Sequence, residues 1–177
     1  MKLLLETDRL ILRPLELNDA EAMFAMDNCA EVHQYLWQNP TQKIEEIINV
    51  INFIQAQYEK NNIGRFATIL KETNEFIGWT GIKYIDDHVE NGNTNFFDYG
   101  YRFHPKFWGK GFATEASLTW LEYGFKEMNI EIMHAYAHSE NKASNRILEK
   151  IGMNFVENYP DDNNVIWNWW RMNNPNL

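Results

Sequence analysis

The stretch from Asn95 to Ala116 most constrains what this chain can fold into. It opens as an aromatic, extended segment, Phe96-Phe97-Asp98-Tyr99-Gly100-Tyr101-Arg102-Phe103, and stops at His104-Pro105. A loop containing Gly109 and Gly111 follows, and a helix-forming run starts at Phe112-Ala113-Thr114-Glu115-Ala116. Glycines let backbone N–H groups approach a ligand closely. The N–H groups of a helix's first turn lack intrahelical partners, and the helix dipole adds about half a positive charge there. Strand, glycine loop and helix start in succession therefore build an anion site suited to phosphate. The spacing alone leaves two readings open, a phosphate cradle and a plain strand-to-helix turn. Two familiar phosphate settings do not apply. A P-loop carries Lys and then Ser or Thr after its last glycine, where this chain has Phe112 and Ala113. The dinucleotide fingerprint needs a third glycine where Thr114 stands.

A chain of 177 residues suits one domain, spanning 1–177, with room for a real core. With 23% charged and 15% aromatic residues it reads as globular rather than disordered. The net charge of −9 argues against nucleic acid or an anionic membrane as partner. It favours a cationic partner, and it equally describes a plain soluble acidic surface. Cys29 is the only cysteine, which excludes an internal disulfide and fits a reducing cytoplasm. Glu6, Asp8 and Arg9 interrupt the apolar Leu3 to Leu5, so no signal core is read, and no run reaches membrane-span length. The five histidines are scattered, so no metal is expected.

Taken in order, Arg9 to Pro14 reads as a strand ended by proline, and Asn18 with Glu21 as the capping box of a first helix holding Met23 and Met26. The segment from Asp27 to Pro40 lacks periodicity; its His33, Tyr35 and Trp37 could line a substrate site or pack beneath the loop. Ile44, Ile47, Ile48, Ile51, Ile54 and Tyr58 mark one face of a second helix, stopped by Asn61, Asn62 and Gly64. Arg65 to Lys71 and Phe76 to Ile85 form an antiparallel hairpin, in which Gly78 and Gly81 suggest a bulge or a close backbone neighbour. Asp86 to Asn93 reads as a surface loop. The third helix runs to about Met128 on an inner face of Ala113, Ala116, Trp120, Gly124 and Met128, and a strand follows from Ile130 to His138. Asn141 caps a short helix that Gly152 ends, and Phe155 to Tyr159 and Val165 to Met172 close the chain as two strands. The last of these, rich in tryptophan, is a possible homodimer edge or simply core. The expected fold class is α/β (α+β), a mixed, mostly antiparallel sheet with helices on both faces.

Three segments together resemble the GNAT superfamily of acyl-CoA N-acyltransferases, in particular the branch of ribosomal-protein N-terminal alanine and serine acetyltransferases. They are Thr7 to Pro14, which is similar to that branch's opening strand, His104 to Ala116, similar to its pyrophosphate loop, and Asn141 to Met153, similar to the helix after the splayed strand. Their order and separation cover nearly the whole chain and favour the phosphate reading of the glycine loop.

The resemblance implies acetyl-CoA as co-substrate, no metal, and an amine acceptor. It places Trp108, Gly109, Lys110, Gly111, Phe112, Ala113 and Thr114 on the coenzyme pyrophosphate, and backbone groups near Tyr101 and Phe103 along the pantetheine arm. Asn141 is expected to meet the coenzyme as well as cap its helix. Asp98 stands where relatives often carry Glu and is the leading base; a solvated or paired strand carboxylate is the plain alternative. Glu75 and Glu115 are weaker base candidates. Where many members place a tyrosine for the departing thiolate, this chain has Leu148, and Ser144, one turn earlier, takes the place of the branch's serine. Ser144 can also serve only its own helix.

The expected function is direct acetyl transfer to a primary amine, with a protein or peptide α-amine favoured, in the cytoplasm and without nucleic-acid or membrane partners. Acetylation of a small molecule such as a polyamine, amino sugar or antibiotic is the alternative. A non-catalytic acyl-CoA-binding module is the competing class.

Overall fold

The computed structural model describes residues 3–36 and 38–177; Trp37, read above as a possible site residue, lies outside the described residues. An eight-stranded sheet runs through the molecule in the order β1-β2-β3-β4-β5-β6-β8-β7. Its strands are β1 (Leu5–Glu6), β2 (Leu10–Pro14), β3 (Arg65–Leu70), β4 (Glu75–Ile85), β5 (Phe96–Phe103), β6 (Ile132–His138), β7 (Asn154–Pro160) and β8 (Ile166–Asn173). The helices are α1 (Ala20–Asp27), α2 (Ile44–Asn61), α3 (Phe112–Lys126) and α4 (Lys142–Lys150). Neighbouring strands are antiparallel except β5 and β6. A parallel pair needs a crossover, and α3 supplies it. The expected mixed, mostly antiparallel fold is what the chain forms.

The single parallel contact among the described residues is short. β5 and β6 pair only at Phe97 with Met133 and Asp98 with His134. Beyond Asp98 the two strands part, and among the described residues the β6-facing edge of β5 from Tyr99 to Phe103 has no strand partner.

The core explains why the elements lie where they do. Trp120 of α3 is fully buried, meets Phe66 of β3 edge-on at 5.0 Å, and gives its indole N–H to Thr80 at 2.9 Å. Thr80 in turn shares a hydrogen bond of 3.1 Å with Thr68, so this buried polar chain is satisfied. Ile47, Ile51, Ile54 and Tyr58 bury the expected face of α2, and Asn62 ends it in the left-handed region at φ 54°. Both readings of the hairpin glycines hold. The β3–β4 register shifts beside Gly78, and side chains at Gly78 or Gly81 would collide with the carbonyls of Arg102 and Gly64.

Three expectations are corrected, and the open reading of the last strand is decided. Asn18 and Glu21 do not form the capping box: a 3-10 turn at Leu17–Asp19 precedes α1, and the amide of Glu16 donates to Asp19 Oδ2 at 2.9 Å. The cause is Arg13, whose guanidinium grips the buried Asp19 carboxylate with two bonds of 2.7 and 2.8 Å and turns the chain around that pair. The C-terminal strand is not an edge, because β8 lies between β6 and β7, with Trp167, Trp169 and Trp170 buried. Met128 lies past the end of α3, at Lys126, and the next strand starts only at Ile132. β1, too short to show a period, pairs Leu5 with Leu12 and Glu6 with Ile11.

One core group has a pH consequence. His134 sits between the rings of Phe96 and Trp169, at 5.2 and 5.0 Å, and its buried Nδ1 has no partner among the described residues. Burial, with Arg171 nearby, pushes its pKa down to about 4. An unfolded histidine titrates near about 6.5, so between those values only the unfolded chain takes up the proton and stability falls with acid. Urea unfolding at pH 7 and pH 5 is expected to show a loss of about 1–2 kcal/mol, discounted for partial exposure, that His134→Phe abolishes.

Candidate active site

The glycine loop is built from both ends. The imidazole of His104 accepts from the amide of Lys106 at 3.3 Å, starting a 3-10 turn over Pro105–Phe107. The indole N–H of Trp108 reaches back to the carbonyl of Phe103 at 2.7 Å and pins the loop to the strand end. Gly109 and Gly111 then take φ values of 72° and 82°, which side chains resist. Gly111 is the N-cap residue of α3 and offers no side chain to its first turn. The first bond closing that helix is Glu115 N–H to the carbonyl of Gly111 at 3.1 Å. Among the described residues, the backbone N–H groups from Gly109 through Thr114 consequently have no hydrogen-bond partner. A run of free amides at a helix start is what a phosphate requires, and these residues fit a pyrophosphate.

The splay lies beside the loop. Tyr101 and Asp98 stand three apart on β5 and send their side chains to opposite faces of the sheet. On one face the Tyr101 hydroxyl lies 2.9 Å from Ser144 Oγ, in the first turn of α4. Burial pushes the Tyr101 pKa up to about 12 against the bond to Ser144, which works to lower it, so the phenol stays neutral. Asn141 caps α4 by accepting from the amide of Ser144 at 3.0 Å. Asn145 fixes the helix in place: its Nδ2 donates to the carbonyls of His138 and Asn141, and its Oδ1 accepts from Asn168 and from the indole of Trp170. Leu148 is buried in the core.

On the opposite face Asp98 is buried, 3% exposed, and paired with Arg65 of β3. The guanidinium also donates to the carbonyl of Asp98 at 2.9 Å and to that of Gly81. A side chain on Gly100 would begin 2.7 Å from Arg65 Nη2, so glycine is needed there. Burial raises the pKa of Asp98, and the charge and hydrogen bond of Arg65 oppose that rise without cancelling it. Arg102 binds Asp27 at 2.8 Å and ties the end of α1 to β5, and His33 beside it is buried and held neutral by desolvation and by Arg102. Half-buried rings gather on the neighbouring strand β6. Tyr35 meets His138 at 5.4 Å, and Tyr136 stacks on Trp169 at 6.0 Å with its hydroxyl unpartnered among the described residues. Glu90 accepts from Tyr159 at 2.6 Å.

The structure thus joins Tyr101 to Ser144 and Asn141, and sets Asp98 on the same strand. It separates the weaker base candidates, since Glu75 pairs with Lys106 at 2.6 Å and Glu115 is bound by Thr7 and Arg9. The Phe103 carbonyl is already engaged by Trp108, which leaves the Tyr101 neighbourhood as the free edge of β5. Arg65, Asn145, Arg9 and Tyr136 were missed. Each acts through a partner distant in sequence, and no local spacing announces that. Among the described residues, no cluster of His, Cys, Asp and Glu could hold a metal, and no helix is long and apolar enough to cross a membrane.

A cradle of free amides opening onto a splayed strand edge has the geometry to take a phosphate-bearing ligand along the sheet. Comparison with known proteins gives the family. The acetyltransferase (GNAT) domain matches residues 9–154, and the chain belongs to that family, as an acetyl-CoA-dependent acetyltransferase. It is 34% identical over 149 residues to the uncharacterized N-acetyltransferase YoaA of Bacillus subtilis (strain 168), covering 84% of this chain and 81% of that one. The spermidine N(1)-acetyltransferase of Escherichia coli (strain K12) is 28% identical over 142 residues, 80% of this chain and 70% of that one. The ribosomal alpha-N-protein acetyltransferase RimL, solved in complex with coenzyme A, shares the fold with a TM-score of 0.82 at 15% identity, over 97% of this chain and 98% of that one.

Proposed function

We propose that this chain, as one domain over 1–177, transfers the acetyl group of acetyl-CoA directly to a primary amine in the cytoplasm, with a protein or peptide N-terminal α-amine as acceptor. The observation that carries the reading is the unbroken run of free amides from Gly109 to Thr114 at the start of α3. Acetyl-CoA supplies an activated acetyl group. The loop holds its pyrophosphate, and the free edge of β5 beside Tyr101 takes the pantetheine as an added strand.

An ammonium cannot attack, and free amines have pKa values of about 7.7 to 10.4, so a base is needed at neutral pH. Asp98 is that base. With so little of it exposed, it takes the proton through a water at the splay. Ser144, held by Asn141 and Tyr101, gives a hydrogen bond to the departing thiolate on the other face. No covalent intermediate is part of this reading, since Cys29, just past α1, lies far in sequence from the glycine loop, Asp98 and Ser144. The peptide reading rests on the opening-strand and Ser144 motifs.

A spermidine-like polycation is the second reading. It is favoured by the similarity to the spermidine enzyme and by Tyr136, Tyr159 and Glu90, which lie within electrostatic reach of Asp98.

Calorimetric titration with acetyl-CoA tests the coenzyme site. The expected result is binding in the range of about 1–100 μM, lost in Gly109→Trp. No described residue lies within 4 Å of a Cβ begun at Gly109, so the core is untouched, while a tryptophan at this positive φ strains and crowds the loop. Absence of binding by folded protein would remove the transferase reading. Turnover with peptide amines and with spermidine, compared as kcat/KM, decides between the two acceptors, and binding without any turnover would leave only an acyl-CoA module.

A further inference from the structure

Arg9, at the entry to β2, reaches across to the glycine loop. Its Nη1 donates to the carbonyl of Lys110 at 3.0 Å, and its guanidinium lies 4.4 Å from the centre of the Phe112 ring. Nε and Nη2 both bond Glu115 Oε2 at 2.6 Å. The other carboxylate oxygen accepts from the Arg9 amide at 2.9 Å and from the Thr7 hydroxyl. Burial works against the charge of Glu115, but these bonds outweigh it and hold its carboxyl below the usual range. One side chain therefore grips both the carbonyl between the two glycines and the first turn of α3.

This grip answers a difficulty in the loop. Gly109 and Gly111 have positive φ, and no described residue packs where a side chain at Gly109 would start, so past the Trp108 pin the loop has little restraint of its own. Its amides bind a phosphate well only if they are already aligned, because ordering on binding costs affinity. The Lys110 carbonyl must also point away from the anion, and Arg9 supplies a cationic partner that turns it outward.

We propose that Arg9, acting through Lys110 and Glu115, is a positioning residue that aligns the loop for the coenzyme's phosphates. The proposal rests on the acetyl-CoA reading above. Donor selectivity tests it, with acetyl-CoA compared against S-acetylpantetheine, which carries the same thioester without the pyrophosphate. Arg9→Ala is expected to raise the KM for acetyl-CoA about ten-fold, the worth of one charge-assisted hydrogen bond. The kcat at saturation and the KM for S-acetylpantetheine stay within about two-fold. Arg9→Lys does not restore the affinity, since an ammonium lacks the fork that spans carbonyl and carboxylate. Glu115→Gln, which keeps an acceptor for the Arg9 amide and the Thr7 hydroxyl but loses the charge, moves the same ratio in the same direction. Equal losses with both donors, or no change with either, overturn the proposal. A wild-type protein that uses neither donor removes the transferase reading itself, a distinct result.

Discussion

Asp98→Asn is expected to lower kcat by about 10²–10³-fold while leaving acetyl-CoA affinity unchanged. The amide has the carboxylate's shape and still accepts from Arg65, but it cannot take a proton. The coenzyme site does not change, because the loop from Gly109 to Thr114 makes no contact with Asp98. The pH dependence carries a second signature. Burial lifts the Asp98 pKa and Arg65 only partly offsets it, so the acid limb of kcat/KM lies above the ordinary aspartate value of about 3.9. Activity falls as pH drops through that limb, since the protonated acid is no base. In Asp98→Asn the limb set by Asp98 disappears and the residual rate follows only the ionisation of the acceptor amine. Steady-state kinetics from pH 4.5 to 9 reads both effects. A variant with wild-type kcat and an unchanged acid limb would make the Arg65–Asp98 pair a structural strut and place the base elsewhere.

Much of this site could be read in the amino-acid sequence because its signals are local. The stretch from Phe103 to Thr114 contains its own reasons: a proline to stop the strand, glycines at the positive φ positions, and a helix start without a capping side chain. Asn141 and Gly152 bracket α4 in the same way. The α2 face repeats at helical spacing over many residues, and its burial follows. What the sequence hid depends on pairs far apart in the chain. Nothing near Arg65 says that its guanidinium will lie over Gly100 and bind Asp98 two strands away. Nothing near Arg9 points to Glu115. The Asn18 cap failed for the same reason, since Arg13 competed for the carboxylate of Asp19 and moved the turn. Local rules also could not show that β8 is inserted between β6 and β7, which is why edge and core stayed open for that strand. Tyr101 shows the mixed case. Its strand placement was legible, but its hydrogen bond to Ser144 arises only when α4 folds back over the splay.

Arg65→Met is the change expected to cost the most stability, about 3–5 kcal/mol at pH 7, because it leaves a buried carboxylate with no counter-charge. The side chains of Arg65 and Asp98 are only 12% and 4% exposed, so water cannot take over the missing partner. Lys83, across from Asp98 on β4, is already paired with Asp87 at 3.5 Å. The sign of the pH effect follows from the direction of the shift. Asp98 already titrates above its unfolded value, and loss of Arg65 raises it further. Between the unfolded and folded values the folded state then holds the extra proton, so stability rises as pH falls. Urea unfolding of Arg65→Met should accordingly recover stability from pH 7 towards pH 5, against the acid-induced loss that His134 produces in the wild type. The double variant Arg65→Met/Asp98→Asn separates charge from packing, since it removes the carboxylate that was stranded. If charge dominates, the double variant is more stable at pH 7 than Arg65→Met alone, a coupling of about 1–3 kcal/mol in the double-mutant cycle. A double variant as unstable as the single one would put the loss in the bonds Arg65 makes to the carbonyls of Gly81 and Asp98. Arg65 would then be chiefly a clasp between β4 and β5 rather than the counter-ion of a base.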